Sequence, residues 1–330
     1  MRKILGFSAL LCASHLFAHQ FSFQVYNDYF AGTDKHFTNG VALSWLDTNG
    51  KKGGNSTTFY SDAMIWLVDS LPFTDINNFN NYTAGASISQ IMITPKDTTL
   101  STPQYNDIPY AGYLALSLFV FEWSDYDFKE YRLDLGVVGK ESGAANLQKN
   151  FHEMIGNPIP QGWDTQLRHR DIANALFRYG NKTWESGRGD SLNADWFNHF
   201  GFQAGNYVTD VFFGSMFRFG NNYSQNFNVH YPYLREEASL LRIDGTPKGF
   251  GWSFSLGFNV EVLAYSYVLD GAKSEGYHTN KNIANASGYA GLDFYYNKHK
   301  LTLFYQGQSS YIDTQHEIDV YGGIMYNYQF

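Results

Sequence analysis

Eleven residues from Trp252 to Val262 constrain this chain more than any other stretch. Trp252, Phe254, Leu256, Phe258, Val260 and Val262 alternate with Ser253, Ser255, Gly257, Asn259 and Glu261. A helix would scatter both sets around its circumference, so period two over this length reads as a strand with one oily and one polar face. The alternation returns in Tyr131, Leu133, Leu135 and Val137, set against Arg132, Asp134 and Gly136. Leu114, Leu116, Leu118 and Val120 form another oily face, as do Leu301, Leu303 and Tyr305. A half-buried soluble sheet also alternates. Strands of about ten residues repeated to the end of the chain, with an arginine and acids on the inner face, instead favour a lipid-facing wall around a polar lumen. The expected fold is all-β: an antiparallel transmembrane β-barrel.

About twelve strands are expected, near 20–30, 38–47, 81–93, 110–123, 128–140, 166–182, 192–206, 209–219, 250–266, 286–297, 299–311 and 319–330. The number is even, as single-chain bacterial barrels require. With a periplasmic N-terminus, connections from odd to even strands face outside, and Ser124–Asp127 and Asn297–Lys300 are short periplasmic turns. Residues 48–80 and 220–249 break the short-turn rule; the first contains Ala63–Val68, which reads as a short helix. Val320, Ile324, Tyr326, Tyr328 and Phe330 share one face. A last strand ending on an aromatic resembles the signal by which the barrel-assembly machinery recognises outer-membrane proteins.

Composition alone leaves a soluble enzyme and a barrel both open, and periodicity decides between them. No segment has the 18 or more apolar residues of a spanning helix, and the mean hydropathy is −0.35. Aromatics nevertheless make up 18% of the chain, with 25 Tyr and 28 Phe, as lipid-facing walls and interfacial girdles demand. Met1-Arg2-Lys3, the apolar run Ile4–Phe17 and Ala18 read as a signal peptide over residues 1–18, leaving one barrel over 19–330. The sole cysteine, Cys12, would leave with it, which excludes thiol chemistry and disulfides. Loss of Arg2 and Lys3 leaves 21 basic against 31 acidic residues, taking the formal charge from −8 to −10. Such a chain is a poor partner for nucleic acid.

Polar clusters gather at one end under this topology. Strand parity puts Asp28 with Ser22, Gln24 and Tyr26 on the lumen face, and Thr38 with Ala42 and Ser44. A carboxylate facing a hydroxyl across a hairpin is a start for an oxygen-rich cation site; rim hydrogen bonding is the plainer alternative. Asn27 has lipid-side parity, tolerable only at the rim. In the loop after strand five, Ala144–Ile155 reads as a helix stopped by Gly156 and Pro158. Gln148 and His152 lie one turn apart on it, an exposed loop histidine with an amide that could orient water for it. His152-Glu153 lacks the second histidine of a zinc protease. Lys96, in Thr94-Pro95-Lys96-Asp97, could hold a lipid phosphate or be a solvated loop lysine. No Gly-x-Ser-x-Gly elbow is present.

Asn27-Asp28, Phe37-Thr38-Asn39-Gly40, Thr94-Pro95-Lys96-Asp97, Asp107-Ile108-Pro109-Tyr110-Ala111-Gly112 and Gln148-x-x-x-His152, then Gly162-Trp163-x-x-Gln166-Leu167, together resemble the lipid A 3′-O-deacylase family. These are outer-membrane barrels that remove 3′-linked acyl chains from lipopolysaccharide. The ordered motifs cover roughly the first half of the chain. The resemblance implies His152 as the base activating a water and Gln148 as its support. It implies calcium (Ca2+) near Asn27, Asp28 and Thr38, and substrate contacts at Lys96 and Asp107. This chain has Pro158 where some members carry an acid, and Ile108 where arginine is common. A non-enzymatic pore or adhesin would have the same wall and no need of His152. A serine-type barrel phospholipase would need a placed Ser-His pair, which is not seen.

Overall fold

The computed structural model describes residues 20–28, 36–51, 59–71, 79, 81–187, 192–223, 227–228, 239–240 and 248–330. The proposed signal peptide lies outside the described residues. Strands β1 (Gln20–Asn27), β2 (His36–Lys51), β3 (Asn81–Thr94), β4 (Ala111–Trp123) and β5 (Asp127–Val138) open the sheet. It continues through β6 (Arg170–Ser186), β7 (Leu192–Gly205) and β8 (Val208–Asn221). After the two-residue strands β9 (Phe227–Asn228) and β10 (Ser239–Leu240), it resumes with β11 (Phe250–Ser266) and β12 (Ala284–Tyr296). Strands β13 (His299–Ser309) and β14 (Ile318–Gln329) complete it. Twelve of these strands form a closed antiparallel barrel, sealed by pairing of β1 with β14; β9 and β10 pair apart from it. Closure leaves no edge with unpaired backbone groups in lipid.

Among the described residues two α-helices lie in the connections: α1 (Phe59–Asp69) between β2 and β3, and α2 (Ala144–Ile155) between β5 and β6. No described helix is long and apolar enough to cross a membrane. The alternating residues divide as expected. Phe254, Leu256, Phe258, Val260 and Val262 are exposed on the outer wall, while Ser253, Ser255, Asn259 and Glu261 are buried inward.

The lumen is filled. Arg218 donates two hydrogen bonds to Asp195 (2.9 and 2.5 Å), Arg178 pairs with Glu130, and Arg132 pairs with Asp134 at 2.6 Å. Lys300 meets Asp293 at 3.2 Å. Neither Arg178 nor Arg218 exposes any surface. Each cation has its carboxylate close by, which is the condition for burying either.

Three strands depart from the sequence reading by more than two residues at an end. The first stops at Asn27 instead of 30, the second runs to Lys51 instead of 47, and the sixth runs Arg170–Ser186 instead of 166–182. In the last case Trp163–Thr165 forms a 3-10 turn with Gln166 at its end, so the loop takes residues that alternation assigned to the wall.

Candidate functional site

Helix α2 is bracketed by Gly143 (φ 72°) and Gly156 (φ 73°), and the Gly156 N–H bonds back to the His152 carbonyl. A left-handed residue closes a helix in this way, and glycine takes that conformation without steric cost. Ala144, Gln148 and His152 recur every four residues and form one buried stripe. The far side exposes Leu147 and Met154.

The buried stripe rests on the outside of the barrel. Ala144 packs with Met92, Tyr110 and Trp163. Met92 pairs with Gly112 across β3 and β4, and their neighbours Ile91, Ile93, Ala111 and Tyr113 all belong to the interior cluster. Alternation therefore turns Met92 and Gly112 outward. A Cβ at Gly112 would sit 2.2 Å from Ser142 Oγ and 2.6 Å from Ala144 Cβ. Only glycine lets the loop approach the wall this closely. Gln90, on the same face of β3, donates to the Ser142 carbonyl.

Trp163 Nε1 donates to Gln148 Oε1 at 2.5 Å. That bond fixes which way the amide points, and Gln148 Nε2 is left buried without a protein acceptor. A buried donor in that state is costly unless an oxygen arrives, from water or from a ligand. His152 Nδ1 lies 2.7 Å from the Pro158 carbonyl oxygen. A carbonyl can only accept, so Nδ1 carries the hydrogen and Nε2 keeps the lone pair. The sequence reading took His152 as an exposed loop residue; at 4% exposure it is buried. Helical spacing shows that Gln148 and His152 share a face but not that this face meets the wall. The Pro158 carbonyl supplies the acceptor that orients the ring.

At the rim of β1 and β2 strict alternation ends at two of the expected metal ligands. Asp28 lies in a turn just past β1, so the strand parity that grouped it with Ser22, Gln24 and Tyr26 does not reach it; it is buried all the same. Thr38 falls at a β-bulge, where pairing steps from Phe37↔Ile93 to Asn39↔Met92. The extra residue interrupts the alternation that put Thr38 with Ala42 and Ser44; its side chain lies outside the described residues. Asn27 pairs with Asn39, Asn39 with Met92, and Met92 with Gly112. This one outward-facing row runs from the β1–β2 rim to the ground beneath α2. In the sequence Asn39 stands only as part of the Phe37-Thr38-Asn39-Gly40 motif, yet its Oδ1 is buried and lacks a hydrogen-bond partner. Its position opposite Asn27 across the hairpin was the available signal. Among the described residues no three His, Cys, Asp or Glu side chains could together hold a metal ion. Asn27, Asp28 and Asn39 offer mainly amide and carboxylate oxygen, the donor set of a hard cation.

Lys96 and Asp107 belong to the β3–β4 connection. Asp107 accepts from the Lys96 backbone N–H (2.8 Å), the Ile108 N–H (2.7 Å) and Gln315 Nε2 (2.9 Å). Its carboxylate thus holds the Lys96 backbone and ties this loop to the one before β14. Lys96 Nζ meets Glu317 at 3.3 Å with both side chains more than half exposed, a pair that water screens and a competing anion can open. Behind α2, His169 meets Glu141 at 3.1 Å and Asp171 at 3.3 Å. The bond to Glu141, above all, raises the imidazole pKa above its ordinary 6.5.

The family model described as outer membrane protein LpxR matches residues 4–330. The chain belongs to the LpxR family. This is the lipid A-modifying family of outer-membrane proteins that the ordered motifs resemble. LpxR from Salmonella typhimurium has a similar fold: TM-score 0.73 at 15% identity, covering 94% of this chain and 100% of that one. The β-domain of the Bordetella autotransporter BrkA aligns with a TM-score of 0.44 at 11% identity, over 94% and 97% of the two chains. No curated protein matches. Membership in LpxR places the barrel in the outer membrane, where lipopolysaccharide is at hand.

Proposed function

We propose that this LpxR-family barrel is a calcium-dependent lipid A 3′-O-deacylase whose chemistry runs on the outside of the wall beneath α2. The observation that carries the reading is the buried Gln148–His152 stripe, with an amide donor lacking an acceptor and an imidazole held in one tautomer. His152 Nε2 takes a proton from water as its oxygen attacks the 3′ ester carbonyl. The acyl C–O bond breaks, and the proton passes to the departing sugar oxygen. The Gln148 amide hydrogens hold the water or the ester oxygen in line. Lys96, released from Glu317, neutralises a lipid phosphate. Calcium bound by Asn27, Asp28 and Thr38, with Asn39 Oδ1 beside them, would polarise the ester carbonyl. The unpartnered Asn39 oxygen supports that fit.

A filled lumen disfavours the pore alternative. A leader ending at Ala18, and assembly through a last strand ending at Phe330, belong to the same reading. Mass spectrometry of lipid A from cells with and without the protein tests it. Loss of the 3′-linked chain supports deacylation, and unchanged lipid A rejects it.

A further inference from the structure

Helix α1 lies at the end of the barrel opposite α2, because the two connections alternate along the chain. It covers a stretch of outer wall unfit for lipid. Tyr82, Glu122 and Lys129 form one cross-strand row on β3, β4 and β5. The neighbours Phe121 and Phe128 belong to the interior cluster, so this row turns outward. Glu122 and Lys129 nevertheless form an ion pair at 3.3 Å, each side chain 2% exposed. Tyr82 donates to Asp69 of α1 at 3.0 Å, and Lys129 Nζ lies 4.8 Å from the centre of the Phe79 ring. Charges facing lipid directly are destabilising. Ile65 and Val68 of α1 pack onto Tyr82, Ala84 and Val120 and seal the row.

The helix does not seal the wall evenly. Trp66, Leu67 and Leu71 remain exposed, Trp66 at 72%. Between α1 and the wall runs an open groove of about 410 Å³, with Leu67, Leu71, Leu118, Leu133, Phe177 and Ala204 among its walls. Arg132 borders it only by its backbone side, since the guanidinium turns to Asp134 and Ser117. Leu118 stands five residues above the end of β4; at roughly 2.5 Å of depth per tilted residue this is about 13 Å, near the middle of an apolar belt about 25 Å tall. The groove is continuous with the exposed lipid-facing residues Leu116, Leu133 and Leu135.

We propose that this groove seats one acyl chain of a phospholipid from the periplasmic leaflet, with Trp66 anchoring α1 in that leaflet. Apolar walls, a side opening at mid-belt and continuity with the lipid-facing surface fit an acyl chain. A water-soluble partner would have to displace the bilayer. Only the choice of leaflet rests on the proposed function; occupancy of the groove is independent of catalysis.

The test uses the full barrel in nanodiscs of phosphatidylethanolamine carrying a diazirine within one acyl chain. After irradiation, adducts are mapped by mass spectrometry. Labelling of α1 and of residues 118–133 should exceed that of the β11–β13 wall about tenfold, the ratio for a site favoured over surrounding lipid by about 1.4 kcal/mol. Ala175→Trp, or Ala204→Trp if the first fails to give a heat-modifiable barrel, should fill the groove and remove the excess while leaving β11–β13 labelling unchanged. Uniform labelling around the wall, an excess that survives both substitutions, or protein–protein crosslinks at α1 in place of lipid adducts would each overturn the proposal. Lipid A deacylation should persist in the filled variants, so failure here is distinct from failure of the enzyme reading.

Discussion

His152 Nδ1 is 2.7 Å from the carbonyl oxygen of Pro158, and this contact leaves Nε2 as the basic nitrogen. His152→Ala should lower lipid A deacylation by roughly 10²- to 10⁴-fold, the usual loss with a general base. The side chain is buried and hydrogen-bonded, so about 0.5–1.5 kcal/mol of local stability should go with it. The barrel itself should still shift on heating in gels, since no strand pairing is touched. Near wild-type deacylation by this variant would reject the assignment.

Trp163→Phe tests the orientation of the amide. It keeps an aromatic ring beside Tyr110 but removes the donor to Gln148 Oε1. Loss of one such hydrogen bond corresponds to about a two- to twelvefold decrease in rate. The decrease should appear in kcat more than in KM, while Gln148→Ala should cost more than Trp163→Phe. Equal KM effects in both variants would indicate a binding role instead.

Gly112→Ala separates site from scaffold. The new methyl would lie 2.2 Å from Ser142 Oγ and so lift the start of α2. A displacement near 1 Å can cost about 10²-fold in rate. Deacylation should fall steeply while the heat-modifiable shift is kept; unchanged activity would show that α2 need not sit close to the wall.

Calcium binding can be followed without turnover. Titration calorimetry on the wild-type barrel should show calcium binding that Asp28→Ala abolishes and Asn39→Ala weakens. Chelation should stop deacylation and added calcium restore it. Full activity in excess chelator would remove the metal from the mechanism.

The His169–Glu141 contact makes the outer loop pH-sensitive. The folded-state pKa of His169 is raised above 6.5, so the unfolded imidazole loses its proton first as pH rises. The stabilising charge is therefore fully present below about 6.5 and is lost as pH climbs through the higher folded value. Amide exchange in residues 139–143 and 166–171 should quicken over that window, and Glu141→Gln should remove the effect. A flat exchange profile would contradict it.

The barrel was legible because alternation is a local signal that burial enforces on every strand. Trp252–Val262 alone showed which side faces lipid, and the groups between them lie inside. The geometry of the candidate site was legible in part. Four-residue spacing brought Gln148 and His152 to one helix face, but that face's burial depends on Met92, Gly112 and Trp163, contacts no periodicity reveals. Asn39 escaped notice because its environment is set by pairing with Asn27 on another strand. Parity assigns no face at Asp28 or Thr38 for one reason: a strand end and a bulge are where strict alternation stops. The ionic row of Glu122 and Lys129 could not be foreseen either, since only the return of α1 makes a charged pair tolerable on an outer wall.

The position of α2 on the exterior of a sealed cylinder also sets the dimensionality of encounter. On the proposed reading, a lipid substrate would reach Gln148 and His152 within the plane of its leaflet, without threading the barrel. Its arrival rate then follows the number of lipids per unit area and their lateral mobility. Dilution of the surrounding medium leaves that rate unchanged, whereas a stiffer or more tightly packed leaflet slows it.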